Sequence, residues 1–186
     1  LLSRNKMQSV SDLFVRNRVS DGVGRLVQDS FRINEDHSEF ENLRNELLDE
    51  YHKNFLLSKT FSGVDQILNK LTINRIDWMI VTNKPKRFSQ EICKKFMWDQ
   101  YAKAIISPDD VKGKRKPDPA SLNAALSKTT NNKKESVYVG DNWRDIKAAH
   151  NSGIDSVLAL YGYIDKNDIS LLNPTWSIKK VEDLSN

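Results

Sequence analysis

The sequence predicts an α/β fold in which a parallel sheet carries helices on both faces, preceded by an all-helical segment. Three observations predict it. From residue 64 onward, short apolar runs alternate with amphipathic helical patterns, which is typical of βαβ units. Residues 1–58 contain no strand pattern. Polar residues follow the ends of three apolar runs, where ligands bind in parallel sheets.

The composition indicates a globular protein and disfavours several partners. Of 186 residues, 38% are hydrophobic and 29% charged, and no apolar run approaches a membrane span. The net charge of +4 is mild, and the basic cluster 112–116 has no aromatic neighbours, which disfavours nucleic-acid binding. The lone Cys93 excludes an internal disulfide and is typical of a reducing compartment. We therefore expect a cytoplasmic monomer or homodimer without nucleic-acid or membrane partners.

The first 60 residues are predicted to form a separate helical domain. Apolar residues at spacings of three and four predict a helix over 38–57, and a second pattern of this kind begins after Asp21-Gly22. The apolar positions are Phe40, Leu43, Leu47, Tyr51 and Phe55 in the first pattern, and Val23, Leu26, Val27 and Phe31 in the second.

Residues 61–186 are predicted to form the α/β core. Strands are expected at 76–82, 103–107, 136–140 and 155–160, and helices at 64–71, 86–98, 119–129 and 143–152. A loop rich in Pro and Lys, 108–119, follows the second strand.

Candidate binding residues follow three of these strands. Thr82 and Asn83 end the first, Lys116 lies in the loop after the second, and Asp141 ends the third, with Asp145 four residues later. The carboxyl ends of parallel strands share one edge, so these side chains are expected to meet there. A hydroxyl, an amide, an ammonium and two carboxylates suit a phosphate beside Mg²⁺, which prefers oxygen ligands.

Each candidate also has a structural interpretation. Thr82-Asn83 is a common helix-capping sequence, and Lys116 is compatible with a solvated loop residue. Asp141 is compatible with a helix cap, and Asp145 with a solvated surface charge. These alternatives stay open on the residues alone.

The order and spacing of the motifs resemble the haloacid dehalogenase superfamily of phosphohydrolases, in particular its phosphoglycolate phosphatase-like members. Residues 80–85 (Ile-Val-Thr-Asn-Lys-Pro) resemble the second motif of the family, and residues 114–119 (Lys-Arg-Lys-Pro-Asp-Pro) the third. Residues 137–145, continued to Ile154, are similar to the fourth motif. The resemblance covers nearly the whole chain and implies a Rossmann-like core with a helical cap domain over residues 1–60.

The resemblance also implies roles for individual residues. Thr82, the Asn83 amide and Lys116 would bind the phosphate of a small phosphorylated metabolite, with Lys116 and Asp145 in catalytic positions. Asp141 and Asp145 would hold Mg²⁺, directly or through water. Such a site offsets the charge of a transferring phosphoryl group.

One family feature does not occur in these 186 residues. The first motif, Asp-x-Asp-Gly-Thr, carries the nucleophile on the first core strand, and the sole Asp-Gly here is Asp21-Gly22 in the helical segment. The chain begins at Leu1-Leu2 without Met, so we expect it to continue upstream in nature, and we expect no turnover from the chain as written. The first hypothesis is a Mg²⁺-dependent, phosphoglycolate phosphatase-like phosphatase that acts through an aspartyl-phosphate intermediate. The second is a non-catalytic domain that binds phosphate compounds or a protein. The third is a phosphomutase of the same superfamily.

Overall fold

A computed structural model describes residues 1–164 and 172–185. The chain divides into two compact units, Leu1–Ser58 and Lys59–Asn186. The remaining positions of the predicted core segment, 165–171 and 186, lie outside the described residues.

The first unit, all of whose residues the structure describes, contains helices and turns and no strand. Its helices are α1 (Asp12–Arg18), α2 (Val23–Phe31) and α3 (Phe40–Asn54), with 3-10 turns at Val19–Asp21 and Phe55–Leu57. Val27 of α2 packs with Phe40 and Leu43 of α3 in a core of its own, because the apolar faces of two amphipathic helices bury one another.

The second unit alternates helices and strands as the sequence predicts. Its helices are α4 (Val64–Ile73), α5 (Lys86–Lys95), α6 (Ala120–Leu126) and α7 (Trp143–Ser152). Its strands are β1 (Ile80–Val81), β2 (Ile105–Ile106), β3 (Val137–Gly140), β4 (Asp155–Ala159) and β5 (Trp176–Ile178). Further 3-10 turns lie at Trp98–Gln100, Pro108–Val111, Lys133–Glu135 and Val181–Ser185.

All pairs of neighbouring strands in the second unit are parallel, which confirms the predicted fold class. β1 pairs with β2 through Ile80 opposite Ile105, and the order β3-β4-β5 forms a three-stranded sheet. The first predicted strand, 76–82, was too long, because residues 76–79 lack the regular pairing that Ile80–Val81 makes. β5 was not predicted.

The strands form two sheets rather than the one expected. Within the described residues, β1 and β3 are linked by side chains instead of a ladder: the Tyr138 hydroxyl of β3 donates to the Val81 carbonyl of β1 over 2.9 Å. The N–H groups of Ile80 and Thr82 donate to carbonyls on the β2 side. Because backbone groups alternate in direction along a strand, the N–H and carbonyl of Val81 point away from β2. An upstream strand paired with this edge stays a prediction.

Helices α6 and α7 form the packing layer beneath the candidate residues. Leu122 of α6 packs against Ala148 and Ala149 of α7, with Val81 and Tyr138 against the same cluster. The strand ends are therefore fixed to a buried layer. No described helix has the length and apolar character needed to cross a membrane.

Candidate functional site

Lys116 is the centre of the site. It is 8% exposed, and its Nζ donates to Asp145 Oδ1 over 2.7 Å, the Tyr138 hydroxyl over 2.6 Å and the Val81 carbonyl over 3.1 Å. An ammonium has three protons, so all three have protein partners. The alternative of a solvated loop lysine is wrong.

Asn83 holds the backbone of Lys116 from the end of β1. Its Nδ2 donates to the Lys116 carbonyl over 3.1 Å, and its Oδ1 accepts the Lys116 N–H over 2.8 Å. This two-point clamp ties the loop after β2 to the end of β1 across 33 positions in sequence. The side chain of Asn83 therefore positions Lys116, whereas the family resemblance assigned a role to its backbone amide.

Thr82 adjoins this clamp but has a local bond of its own. Its Oγ1 accepts the N–H of Lys84 over 3.0 Å in a turn that leads into α5. Helix α5 has Pro85 at its N-cap, without a side-chain cap bond, so the capping interpretation of Thr82-Asn83 is wrong. The predicted contact of the Thr82 hydroxyl with a phosphate stays a prediction.

Asp145 is engaged on both carboxylate oxygens. Oδ1 accepts from Lys116, while Oδ2 accepts the backbone N–H groups of Asp141 (3.2 Å) and Asn142 (3.1 Å). Asn142 is the N-cap of α7, and Asp145 completes a capping box with it. Asp145 is 7% exposed, so it is neither a solvated charge nor a carboxylate with an unused oxygen.

Asp141 is held by a loop that the sequence analysis missed. Its Oδ2 accepts the backbone N–H of Tyr163, in the segment that follows β4, over 2.8 Å. Burial, with a smaller contribution from the Asp145 carboxylate, raises the pKa of Asp141. A carboxylate whose ionised form is disfavoured in this way gains from a bound cation.

Two glycines allow the backbone to pass directly against these carboxylates. A Cβ at Gly140 would lie 2.3 Å from the Cβ of Asp145, and one at Gly162 would lie 2.2 Å from the Cβ of Asp141. No side chain fits at such separations, so glycine is required at both positions. Gly140 was evident from its place before Asp141, whereas nothing local in the sequence connects Gly162 with Asp141.

Tyr138 was also missed, because its place in an apolar run indicates only a core residue. Its hydroxyl lies 2.9 Å from the Val81 carbonyl and 3.4 Å from Asp145 Oδ1, and it accepts from Lys116. Burial, then the Asp145 carboxylate, raises the pKa of Tyr138 well above its usual value. The phenol therefore stays protonated beside Lys116.

A cavity of about 280 Å³ opens over these groups. Charged, apolar and aromatic residues all line it. The lining consists of Lys116, Asp141, Asp145, Gly140, Val81, Val139, Tyr138, Ala159, Phe61 and Tyr161. Lys116, Asp141 and Asp145 therefore share one crevice, as predicted. Thr82 and Asn83 were expected there too but are not among its lining residues, and Asn83 reaches it only through its clamp on the Lys116 backbone.

Asp141 and Asp145 could supply part of a set of magnesium ligands. Asp141 suits Mg²⁺ by its chemistry and burial, and the remaining ligands would be water and phosphate oxygens, as is usual for this ion. Both oxygens of Asp145 already accept hydrogen bonds, from Lys116 and from the N-terminus of α7. Its predicted contact with a metal ion would therefore be mediated by water. Among the described residues, no group of three or more His, Cys, Asp or Glu side chains is arranged to hold a metal ion.

Cys93 does not take part in this chemistry. Its side chain is buried in α5, and burial raises the pKa of the thiol to about 11. A buried thiol with a raised pKa is a packed side chain and a poor nucleophile.

Comparison with known families identifies the architecture. The model of the haloacid dehalogenase-like hydrolases matches residues 2–159. The chain belongs to this family. A relative from Pseudomonas putida, N-acetylmuramic acid 6-phosphate phosphatase, is 33% identical over 98% of this chain and 81% of its own length.

Other relatives of this haloacid dehalogenase-like hydrolase are also phosphatases. N-acetylmuramic acid 6-phosphate phosphatase from Pseudomonas aeruginosa is 32% identical over 86% of this chain and 70% of its own length. Phosphoglycolate phosphatase from Xylella fastidiosa is 37% identical over 64% of this chain and 51% of its own length.

Solved structures show the same fold. A predicted phosphoglycolate phosphatase from Haemophilus somnus superposes with a TM-score of 0.85 at 24% identity, covering 99% of this chain and 85% of its own.

Proposed function

We propose that this protein is a Mg²⁺-dependent phosphatase, phosphoglycolate phosphatase-like, that hydrolyses a small phosphorylated metabolite. The observation that carries the proposal is the buried Lys116 ammonium, held 2.7 Å from Asp145 in a cavity that Asp141 also lines. Homologues that are phosphatases on a phosphorylated sugar and on phosphoglycolate support the reaction class.

Lys116 supplies the positive charge for the phosphate. Coulomb attraction to a phosphoryl oxygen is strong in a crevice partly shielded from water, and a preorganised ammonium needs no reorganisation when charge develops. The Asn83 clamp and the Asp145 carboxylate fix where this charge lies. Thr82 and the Asn83 amide are proposed to bind further phosphate oxygens.

Asp141 is proposed to hold Mg²⁺, with Asp145 contributing through water. When bound, the ion would offset phosphoryl charge as a Lewis acid. Asp141 is suited to this because its carboxylate is buried and its orientation is fixed by the Tyr163 N–H.

The aspartyl nucleophile that the family resemblance requires is not among these 186 residues. We therefore propose that the chain as written binds phosphate without turning it over, since no carboxylate is available to attack. Turnover through an aspartyl-phosphate intermediate would need a chain that carries the family's first motif. A non-catalytic phosphate-binding domain or a phosphomutase are the alternatives, and each predicts a different result with that longer chain.

Hydrolysis of a generic aryl phosphate tests the proposal. The 186-residue chain should release no product at any Mg²⁺ concentration, and a version extended upstream to include the first motif should do so. In the extended version, replacing both Lys116 with Met and Asp145 with Asn should abolish release without leaving a buried charge unpaired. The exposed Lys114→Ala in the same loop is the control and should keep full activity.

Two results would contradict the proposal. Turnover by the chain as written would mean that a nucleophile is present among these 186 residues. Activity in the double variant would mean that the reaction does not require Lys116. An extended chain that binds phosphate but never releases product would favour the non-catalytic domain, and one that returns the phosphoryl group to a second sugar hydroxyl would favour a mutase.

A further inference from the structure

The Tyr138 hydroxyl touches the Lys116 ammonium, yet the proposed phosphate chemistry gives it no part. Lys116 Nζ donates to this hydroxyl over 2.6 Å and lies 5.2 Å from the centre of the tyrosine ring. The hydroxyl also lies 3.4 Å from Asp145 Oδ1, the other side-chain acceptor of Lys116. Tyr138 is therefore a direct neighbour of the charge that is proposed to bind phosphate.

The Tyr138 ring lies on the side of the strands that faces the helices. It packs against the cluster of Leu122, Ala148 and Ala149, which belongs to α6 and α7. Side chains of a strand stand on the faces of a sheet, whereas a neighbouring strand pairs in the plane of the sheet. An upstream strand between β1 and β3 would therefore pass over this ring and leave its contact with Lys116 in place.

The acceptors around the Lys116 ammonium differ in distance and in origin. The Tyr138 oxygen lies 2.6 Å from Nζ and Asp145 Oδ1 lies 2.7 Å away, whereas the Val81 carbonyl lies 3.1 Å away. The two shorter contacts are made by side chains next to the helix layer, and the longest is made by the backbone of a strand edge. The Val81 carbonyl also accepts from Tyr138 over 2.9 Å, so it keeps a donor when Lys116 turns away. The N–H on Val81 is therefore the one that can turn to a phosphate oxygen.

We propose that Tyr138 is a positioning residue, which together with Asp145 fixes two N–H groups of Lys116 and so directs the third toward the phosphate. The inference rests on the proposed phosphate site at Lys116 and adds the group that orients its charge. A neutral phenol suits this part better than a second carboxylate, because it accepts a hydrogen bond without cancelling the positive charge. Burial raises the pKa of Tyr138, which keeps the phenol neutral at pH 7.

Calorimetric titration of the 186-residue chain with inorganic phosphate in Mg²⁺ buffer tests the inference on Tyr138→Phe. This variant keeps the ring and its packing and removes the oxygen. One N–H of the buried Lys116 then lacks an acceptor, the ammonium loses its fixed orientation, and phosphate should bind about tenfold more weakly. Tyr101→Phe removes a hydroxyl from an exposed ring outside the cavity and should bind phosphate within about twofold of the original.

A variant of similar stability separates positioning from general weakening. Tyr138→Phe should lower the Tm by about 3 °C, because a hydrogen-bond acceptor of a buried ammonium is lost. Ile178→Val shortens a buried side chain of β5 and should lower the Tm by about the same amount. We expect Ile178→Val to bind phosphate within about twofold of the original, so that affinity does not follow stability.

The ammonium itself gives a second readout in a chain labelled with ¹⁵N in its lysine side chains. Fixed acceptors should slow the exchange of the Lys116 Nζ protons with water, so that their ¹H–¹⁵N signal is visible at pH 7, whereas the exposed Lys114 should give none. The double variant Lys116→Met/Asp145→Asn assigns the signal by its absence. We expect Tyr138→Phe to lose the signal and Ile178→Val to keep it.

The outcomes distinguish this inference from the function beneath it. Phosphate binding by Tyr138→Phe within about twofold of the original, equal weakening in Ile178→Val, or a Lys116 signal that survives loss of the hydroxyl overturns the positioning role while the phosphate site stands. If the original chain does not bind inorganic phosphate, or if the double variant Lys116→Met/Asp145→Asn binds it as well as the original does, the phosphate site fails and the inference fails with it.

Discussion

Asp145 illustrates how one residue can serve two structural purposes at once. One oxygen receives the Lys116 ammonium and the other closes the capping box of α7, so the carboxylate must accept hydrogen bonds on both sides. Asp141, four residues earlier, accepts the N–H of Tyr163 from the loop after β4 and lines the cavity. Two aspartates of one motif therefore have different environments, and their amide variants should behave differently.

Asp145→Asn should lower stability much more than Asp141→Asn. An asparagine at 145 can accept on one side only, and it leaves Lys116 buried without a counter-charge, at a cost of about 3 kcal/mol or more and roughly 10 °C in Tm. Asp141→Asn removes a carboxylate whose pKa burial raises, so its charge opposes folding at pH 7 and stability should not fall.

Thermal melts of both variants at pH 7 without Mg²⁺ measure the difference, and magnesium titration measures the function. Mg²⁺ should raise the Tm of the original chain and not that of Asp141→Asn, because the variant lacks an anionic ligand. Equal losses of stability in the two variants would contradict the separate environments assigned to them.

At the scale of elements, the sequence predicted order and type better than length. Apolar periodicity identified α2, α7 and the strand before Asp141, since those segments bury one face. It overextended the strand before Thr82, because Ile76 and Trp78 continue the apolar run without pairing regularly. Periodicity cannot reveal that the buried Tyr138 hydroxyl bonds to another strand, or that a side chain at Gly162 would collide with Asp141. Both facts depend on residues distant in sequence.

The 3-10 turn Pro108–Val111 shows how a loop after a strand is fixed electrostatically. Asp110 accepts the Ser107 N–H (3.0 Å) and hydroxyl (2.7 Å), and the Lys86 ammonium of α5 contacts its other oxygen at 2.5 Å. Burial alone would raise the pKa of Asp110, but the bonds from Lys86 and Ser107 outweigh it and lower the pKa. The ionised Asp110 carboxylate therefore holds the turn to α5, together with Asp109, whose Oδ2 accepts the Lys86 N–H over 3.0 Å.

This carboxylate should make part of the stability dependent on acid. Because the folded pKa lies below the unfolded value of about 4, the stabilisation is present above that pH and is lost as pH falls through the folded pKa. Asp110→Asn should cost about 1 kcal/mol at pH 7, and the difference from the original chain should shrink below about pH 4. Denaturant titrations from pH 7 to pH 3 measure it, with the exposed Asp49→Asn as the control. A difference that stays constant across this range would contradict the role of the charge.

At the scale of the whole molecule, the candidate site belongs to one unit. Every residue assigned to the phosphate or to the metal lies within Lys59–Asn186, while Leu1–Ser58 has a separate core around Val27 and Phe40. The sequence placed the change of architecture near residue 60 because strand patterns begin only after Gly63. A cap role for the first unit stays a prediction, since it concerns substrate access rather than the phosphate contacts.

A fragment comprising residues 59–186 should therefore fold and bind inorganic phosphate nearly as well as the full chain. Its 128 positions contain the α6–α7 packing layer and the complete set of contacts around Lys116, and a domain of that size buries enough surface to be stable. We expect a cooperative melt and a phosphate Kd within about threefold of the full chain, a difference of less than 1 kcal/mol. In the fragment, Lys114→Ala should leave binding intact, whereas the double variant Lys116→Met/Asp145→Asn should abolish it. A folded fragment that binds phosphate at least tenfold more weakly than the full chain would show that residues of Leu1–Ser58 contribute to the phosphate site itself.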